Sequence, residues 1–262
     1  MSAIPQHFSM ESIVQTLMKT IGIAAHSAEG GALCFITSCR EGGKLLGDHN
    51  HPDIVVSAIP MSLSMHAWNT DDHETVARHL ARGVQQVANA GADFFICPDN
   101  TAHIVLEKVI DDLALPGLHI AEVVCAEIKA SGWSKAALLG TNWTMTGPVY
   151  KKILDRMGIE CLIPDAATRQ KIHDAIFNEL CNGEFTAETT RLFVETIETL
   201  KEQGAECVIL GCTEIPLIIN KENSPVPPLD STRLLARYAV LEAINEHAQP
   251  MGKGWLPVCP KP

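Results

Sequence analysis

An internal repeat constrains the fold of this chain more than any other feature of its sequence. The segment GADFFICPDNTAHIV begins at Gly91, and the segment GAECVILGCTEIPLI begins at Gly204. Aligned without a gap, the two copies match glycine with glycine, alanine with alanine and one acidic residue with another. The same alignment places Asp99 opposite Cys212. A chain of 262 residues that repeats such a unit is expected to form two similar domains.

Each copy has the pattern of a buried strand, a loop and the start of a helix. The apolar run ends at Pro98 in the first copy and at Gly211 in the second, and small hydroxyl or amide residues follow. Ligands of parallel α/β proteins bind at the carboxyl ends of the strands, so Asp99 and Cys212 are expected to face one space. Two opposed acid/base groups could take a proton from one face of a carbon atom and return one to the other.

Hydrophobic periodicity predicts alternating strands and helices along the rest of the chain. The predicted strands cover residues 21–25, 54–59, 135–139 and 161–164. The predicted helices cover residues 10–19, 32–41, 74–90, 101–113, 120–130, 147–157, 166–180, 186–202 and 231–247. Residues 248–262 are rich in Pro and Gly and are expected to be an irregular tail.

The amino-acid composition limits the classes of protein and of binding partner that fit this chain. A hydrophobic fraction of 46% with 19% charged residues is typical of a soluble enzyme. The net charge of −11 argues against a nucleic-acid or anionic-membrane partner. No apolar run reaches the ~18–20 residues that span a bilayer. The first residues lack the pattern of a signal peptide.

The cysteines indicate a reducing compartment. There are nine, an odd number, and most lie inside apolar runs. Reduced thiols packed as small hydrophobic side chains fit this pattern better than a disulfide framework, so a cytoplasmic location is expected. No Cys-x-x-Cys pair occurs, which makes a zinc knuckle improbable.

Three loops are candidates for binding a ligand or a metal. Residues 26–31, which include Ser27, are small and would let a ligand approach the backbone, but they lack the spacing of a nucleotide site. Ser62 follows the strand at 54–59 and is expected at the carboxyl edge of the sheet. The segment GDHNHPD (47–53) is rich in metal-ligating residues, but its Gly, Asn and Pro favour a turn, so no metal is predicted.

The pair PDNTAH (98–103) and LGCTEIPL (210–217) resembles the signature of the cofactor-independent aspartate/glutamate racemase family. The resemblance extends to the loop of Ser27 and Glu29 and to three longer segments. These are LPGLHIAE (115–122), ALLGTNWTM (137–145) and IPDAATRQKIHDAIFNEL (163–180). It implies two pseudo-symmetric α/β/α lobes with mainly parallel sheets and the active site in the cleft between them. It also implies racemisation without pyridoxal phosphate, commonly as a homodimer.

A break at residues 115–117, Leu-Pro-Gly, marks a candidate boundary between the lobes. The first lobe is expected to comprise residues 1–116 with 229–262, and to carry Asp99. The second is expected to comprise residues 117–228, and to carry Cys212.

One position departs from the family. Its first signature usually reads Pro-Cys-Asn-Thr, with a cysteine where this chain has Asp99. Cys97 comes two residues too early and is expected to be a packed thiol. The predicted catalytic pair is therefore Asp99 with Cys212. Burial and a neighbouring substrate carboxylate are expected to raise the pKa of Asp99, and a helix N-terminus to lower that of Cys212.

The resemblance, together with the loop positions, predicts nine further residues that bind the substrate. They are Ser27, Ser62, Asn100, Thr101, Thr141, Thr144, Lys171, Thr213 and Glu214. Lys171 matches a family lysine that reaches the distal carboxylate of the substrate, which implies aspartate, with glutamate second. His103 is expected to be structural, while Met61, Met65, Trp143 and Met145 are expected to be cavity walls or core.

Two other functions stay open. The protein could be a single-cysteine lyase or decarboxylase of a malonate-like acid, for which one proton donor suffices. It could also be a non-catalytic protein that binds an acidic amino acid. A racemase would incorporate deuterium at the α-carbon with loss of optical rotation, a lyase would change the carbon skeleton, and a binding protein would do neither.

Overall fold

The structure is a computed structural model that describes residues 18–245 and 252–258. Within these residues the named strands form two parallel sheets of four strands each. Residues 10–17 of the helix predicted over residues 10–19 lie outside the described residues. No helix in the described part of the chain combines the length and the apolar character that a membrane crossing requires.

The first sheet has the strand order β2-β1-β3-β4. Its strands are β1 (Ile21–Ala25), β2 (Ile54–Ala58), β3 (Phe94–Ile96) and β4 (Gly117–Leu118). The helices between them are α1 (Ala28–Leu46), α2 (Ser62–Asn69), α3 (His73–Asn89) and α4 (His103–Val109), with a 3-10 turn at Ile110–Asp112.

The second sheet has the corresponding order β6-β5-β7-β8. Its strands are β5 (Lys135–Gly140), β6 (Glu160–Leu162), β7 (Cys207–Gly211) and β8 (Pro228–Asp230). The remaining helices are α5 (Ile120–Ala130), α6 (Asn142–Thr146), α7 (Pro148–Met157), α8 (Ala166–Asn178), α9 (Ala187–Glu202) and α10 (Ser231–Ala243). Two 3-10 turns occur at Leu180–Asn182 and Ile215–Leu217.

The first lobe has three layers because consecutive side chains of a strand point to opposite faces. Phe94 and Ile96 of β3 pack into a core with α1, α5 and α10. Phe95 and Cys97 pack into a second core with α2, α3 and α4. The second lobe has its own core on β5 and β7. The predicted α/β fold of two similar lobes is confirmed.

The internal repeat corresponds to equivalent backbone turns. Gly91 and Gly204 have φ angles of 94° and 99°, which favour glycine. The residue after each glycine donates its N–H to the carbonyl five residues earlier, over 3.0 Å in both lobes. The side chain of Asp93 accepts the backbone N–H of Thr20 over 2.7 Å. Its counterpart Glu206 accepts the N–H of Lys135 over 3.0 Å.

The boundary predicted after residue 116 is wrong by one strand. Gly117 pairs with Phe95, so β4 belongs to the first sheet. A Cβ atom on Gly117 would lie 2.5 Å from the Phe95 ring, so glycine serves there for close packing of the strand, not for a break. The boundary before residue 229 also divides β8, which pairs with β7. The helix α10 then returns to the first lobe and packs on α1.

The second copy of the repeat does not open a helix. It continues into the 3-10 turn at Ile215–Leu217, in which Pro216 has no N–H to donate. The first copy does lead into a helix, α4, which ends at Val109, earlier than predicted. The segment 47–53 is a turn, as predicted, closed by the Asn50 N–H on the Gly47 carbonyl over 3.1 Å.

Candidate active site

The loops that follow β1, β3, β5 and β7 surround a cavity of about 50 Å³ between the two lobes. Its polar lining consists of His26, Ser27, Asp99, Asn100, Thr101, Thr141, Cys181, Cys212, Thr213 and Glu214. Asp99 and Cys212 therefore face one space, one from each copy of the repeat. This is the arrangement expected when the carboxyl ends of parallel strands meet.

Asp99 is held as a carboxylate by the first lobe. The His26 Nδ1–H donates to its Oδ2 over 3.2 Å, and the Ala102 N–H donates to its Oδ1 over 3.3 Å. Burial pushes the pKa of Asp99 upward, but the hydrogen bond and charge of His26, with the Ala102 N–H, outweigh it. The pKa lies below its usual value of 3.8. The predicted rise in this pKa is therefore wrong for the protein without substrate.

Cys212 is held as a thiol by Glu214. Its Sγ–H donates to Oε2 of Glu214 over 2.8 Å, while the Thr213 hydroxyl donates to Oε1 over 2.7 Å. Burial first, then the charge and hydrogen bond of Glu214, raise the pKa of Cys212 well above its usual value. The predicted lowering is wrong, because a three-residue 3-10 turn follows in place of an α-helix and its dipole.

Asn100 and Thr101 join the two lobes as well as lining the cavity. The Asn100 amide donates to the Ser231 hydroxyl over 3.0 Å and accepts from the Tyr150 hydroxyl over 2.6 Å. The Thr101 hydroxyl lies 3.2 Å from that of Thr141 and 3.1 Å from that of Thr144. Two of the four hydrogen bonds that the Asn100 amide can make are thus used, which leaves one amide hydrogen and one oxygen lone pair for a ligand.

The start of α1, which Ser27 caps, reaches Thr213 of the second lobe. The Ser27 hydroxyl accepts the Gly30 N–H over 3.2 Å and caps the helix. A Cβ atom on Gly30 would lie 2.7 Å from the Thr213 methyl carbon. Thr141 caps α6 in the same way, accepting the Thr144 N–H over 3.2 Å. Ser27 and Thr141 are thus both helix caps that line the cavity, one in each lobe.

Apolar side chains cover the rest of the cavity. They are Met61, Met65, Trp68, Trp143, Ile176 and Phe177. The prediction that Met61, Met65 and Trp143 form walls is confirmed, and Met145 is buried in the core.

Three predicted binding residues do not line the cavity. Ser62 is exposed on the first turn of α2, and Thr144 is buried behind Thr141. Lys171 is exposed on α8 and lines an outer groove with side chains of α9. Ile176, which does line the cavity, follows five residues later, about 140° further around the helix. The structure therefore does not bring Lys171 to the cavity, because its side chain leaves a different face of α8, and its contact with the substrate stays a prediction.

The sequence interpretation missed His26, Trp68 and Cys181. His26 directly follows β1, so its place at the carboxyl edge of the sheet was a usable signal. Trp68 falls on the face of α2 that Met61 and Met65 also occupy, at helical spacing. Cys181 lies in the 3-10 turn after α8, and the sequence around it has no pattern that predicts a place in the cavity lining.

His103 and Cys97 are structural, as predicted. The His103 Nδ1–H donates to the Asp99 carbonyl over 3.0 Å, and its Nε2 accepts the Ile120 N–H over 3.3 Å. Burial lowers the pKa of His103 to about 3, so the ring stays neutral. Cys97 is buried in the core, and burial raises its pKa far above the usual range. In the described part of the chain, no group of three or more metal-ligating side chains is arranged to hold an ion.

Comparison with known proteins identifies the family of the chain. The profile of the Asp/Glu/hydantoin racemase family matches residues 43–239. The chain belongs to this family. Members of the family are racemases, which are isomerases.

Individual relatives of this racemase-family protein extend the comparison. It is 27% identical over 193 residues to the broad specificity amino-acid racemase RacX of Bacillus subtilis (strain 168), covering 74% of this chain and 82% of RacX. An aspartate racemase homologue from Pyrococcus horikoshii OT3 superposes with a TM-score of 0.73 at 28% identity, covering 86% and 99% of the two chains. The aspartate racemase of Picrophilus torridus shares the fold, with a TM-score of 0.67 at 22% identity over 86% and 94%.

Proposed function

We propose that this protein is an amino-acid racemase that transfers protons between Asp99, Cys212 and the two faces of the substrate α-carbon, without pyridoxal phosphate. The observation that carries the proposal is that Asp99 and Cys212, one from each copy of the repeat, line one cavity. Asp99 is ionised because its pKa is lowered, and Cys212 is protonated because its pKa is raised. A two-base racemase needs one base and one acid before the substrate binds.

The proton transfers balance in each direction. The Asp99 carboxylate removes the α-proton, the electron pair moves into the substrate carboxylate, and the Cys212 thiol delivers its proton to the opposite face. Asp99 is then protonated and Cys212 is a thiolate, the pair that the other enantiomer requires. Glu214 accepts the Cys212 S–H over 2.8 Å, and its charge disfavours the free thiolate.

Hydrogen-bond donors must stabilise the negative charge of the intermediate. The hydroxyls of Thr101 and Thr141 line the cavity on opposite lobes and bond to one another without substrate. Rotation of either hydroxyl would turn it toward a substrate carboxylate. Donors held in place before the reaction stabilise a developing oxyanion more effectively than water does.

Exchange of the α-proton with D2O tests the two-sided mechanism. The native protein is expected to exchange and racemise both enantiomers of its substrate. In Cys212→Ala, the carboxylate of Asp99 should still exchange the α-proton of one enantiomer, with retention of configuration and no racemisation. In Asp99→Asn, the rate of racemisation should fall by about 10²- to 10⁴-fold. The remaining α-proton exchange should occur with the enantiomer that Cys212→Ala does not exchange, and its rate should increase with pH.

Two results would overturn the assignment. Racemisation that survives Asp99→Asn at the native rate would remove Asp99 from the mechanism. Release of CO2 from a malonate-like acid, without exchange into any amino acid, would instead identify a decarboxylase with Cys212 as its proton donor.

We also propose that the protein acts in the cytoplasm as a homodimer. The eight cysteines among the described residues are all free thiols, which suits a reducing compartment. Exposed apolar side chains on α1, such as Phe35 and Ile36, suit a subunit interface. Light scattering of the purified protein tests the dimer, which a monomeric mass would exclude.

A further inference from the structure

Apolar side chains from both lobes form a wall of the cavity. Met61, Met65 and Trp68 line it from the start and one face of α2. Ile176 and Phe177 line it from the end of α8. Trp143 is the sixth side chain of this wall. All six are hydrocarbon, thioether or aromatic groups, and the tryptophan N–H groups are their only strong hydrogen-bond donors.

Aromatic contacts make the wall continuous across the two lobes. The ring centroids of Trp68 and Trp143 lie 6.2 Å apart, with 35° between the planes. Trp143 meets Phe177 edge-on, at 6.0 Å and 83°. Rings at these distances and angles attract one another beyond their buried area. A substrate side chain that extends from the polar loops therefore meets apolar surface contributed by both lobes.

The charge of the cavity also opposes an acidic side chain. Its lining includes two carboxyl side chains, Asp99 and Glu214, and no lysine or arginine from the described residues. The one lining side chain in those residues that can become cationic is His26, and its Nδ1–H donates to Asp99. Outside the described ranges the sequence contains a single lysine, Lys261, and no arginine.

From this wall and this charge we infer that the substrate is an amino acid with an uncharged aliphatic or thioether side chain, such as leucine or methionine, and not aspartate or glutamate. The inference rests on the racemase function proposed above. A second carboxylate would lose its water against hydrocarbon and aromatic surface without gaining a cation, beside two groups of its own sign. An aliphatic side chain instead buries apolar surface there.

The same wall is expected to accept substrate side chains of several shapes, and not a single one. Met61 and Met65 are unbranched and adapt their conformation to a neighbour more readily than branched side chains do. The cavity of about 50 Å³ is small, since one water fills roughly 10–15 Å³ of such a cavity. Leucine, valine and methionine are therefore expected to react at similar rates, ahead of tryptophan.

The test measures α-proton exchange in D2O for both enantiomers of leucine, methionine, aspartate, glutamate and lysine with the native protein. We expect kcat/KM for leucine and methionine to exceed the values for aspartate and glutamate by at least about tenfold. Equal or faster exchange of aspartate or glutamate overturns the inference and leaves the racemase function standing. Faster exchange of lysine overturns it as well.

The absence of exchange with every amino acid would contradict the proposed function instead. Calorimetric binding to Cys212→Ala then still tests the substrate class, because binding requires no proton transfer. Leucine or methionine should bind at least about tenfold more tightly than aspartate. Tighter binding of aspartate overturns the inference.

A charge swap in the wall provides a second test. Met65→Lys adds a cation to the cavity and should increase kcat/KM for aspartate relative to leucine by at least about tenfold. Leu63→Lys is the matched control, since Leu63 is an exposed residue of the same helix and lies outside the cavity lining. That control should leave the ratio as in the native protein, and thermal unfolding checks that both variants fold. An unchanged ratio in Met65→Lys, with the fold intact, means that substrate side chains do not reach the wall.

Discussion

The imidazole of His26 donates its Nδ1–H to Oδ2 of Asp99 over 3.2 Å, joining the ends of two neighbouring strands of the first sheet. His26 is buried, and its Nε2 has no hydrogen-bond partner among the described residues. The contact keeps Asp99 ionised in a site where burial alone would favour the neutral acid. His26 is thus a positioning residue that sets the protonation state of the proposed base.

Replacing His26 should therefore change the pH dependence of the reaction. In His26→Ala the hydrogen bond and charge that lower the pKa of Asp99 are lost, so burial raises it. The acidic limb of kcat/KM should move to higher pH, because Asp99 then becomes protonated at a higher pH. His26→Gln, which keeps a donor without a charge, should lie between the two. A lower rate with an unchanged acidic limb would mean that His26 only maintains packing.

The native protein should have a broad pH optimum. The pKa of Asp99 lies below 3.8 and that of Cys212 above 9.0, so the active pair persists between these values. Initial rates from about pH 4 to about pH 9 should be nearly constant. In Asp99→Cys a thiol, with an ordinary pKa of about 8.5, replaces the carboxylate, so activity at neutral pH should depend steeply on pH. A native acidic limb near neutral pH would contradict the assignment of Asp99.

Glu214 should control the reactivity of Cys212. In Glu214→Gln the charge that opposes the thiolate is lost, so the pKa of Cys212 should fall toward its usual value of 9.0. Alkylation by iodoacetamide, followed at the Cys212 peptide by mass spectrometry, should accelerate at a lower pH than in the native protein. The peptide of Cys39, a thiol on α1 outside the cavity lining, is the internal control. An unchanged Cys212 profile would show that burial alone sets this pKa.

Lys171 should be dispensable. Its ammonium group is on the exposed face of α8, away from the cavity lining, so Lys171→Gln is expected to change kcat/KM by less than about twofold. Lys201→Gln, an exposed lysine of α9, is the matched control. A tenfold rise in KM in Lys171→Gln alone would indicate that the lysine reaches the substrate after a change of conformation.

The hydrogen bond between Tyr150 and Asn100 should stabilise the joined lobes. Asn100→Ala removes the amide oxygen that accepts from the buried Tyr150 hydroxyl, so the free energy of unfolding should fall by about 1–2 kcal/mol. Tyr150→Phe in the same background should cost less than it does alone. Urea unfolding of the two single variants and the double variant measures this coupling. Additive losses would mean that the two side chains do not interact.

The sequence by itself determined the duplicated α/β scaffold and the opposition of Asp99 and Cys212. Both follow from local pattern, because an apolar run that ends in a loop marks the carboxyl end of a strand, and parallel strands bring those ends together. The pKa values and the cavity wall were decided by tertiary structure. His26 and Asp99 are 73 residues apart in the chain, and the apolar wall draws on three helices from two lobes. The direction of Lys171 depends on which face of α8 packs against the core. Desolvation and side-chain contacts arise only when distant segments pack. The order of residues therefore specifies where Asp99 and Cys212 lie, and the packing specifies which of them carries the proton.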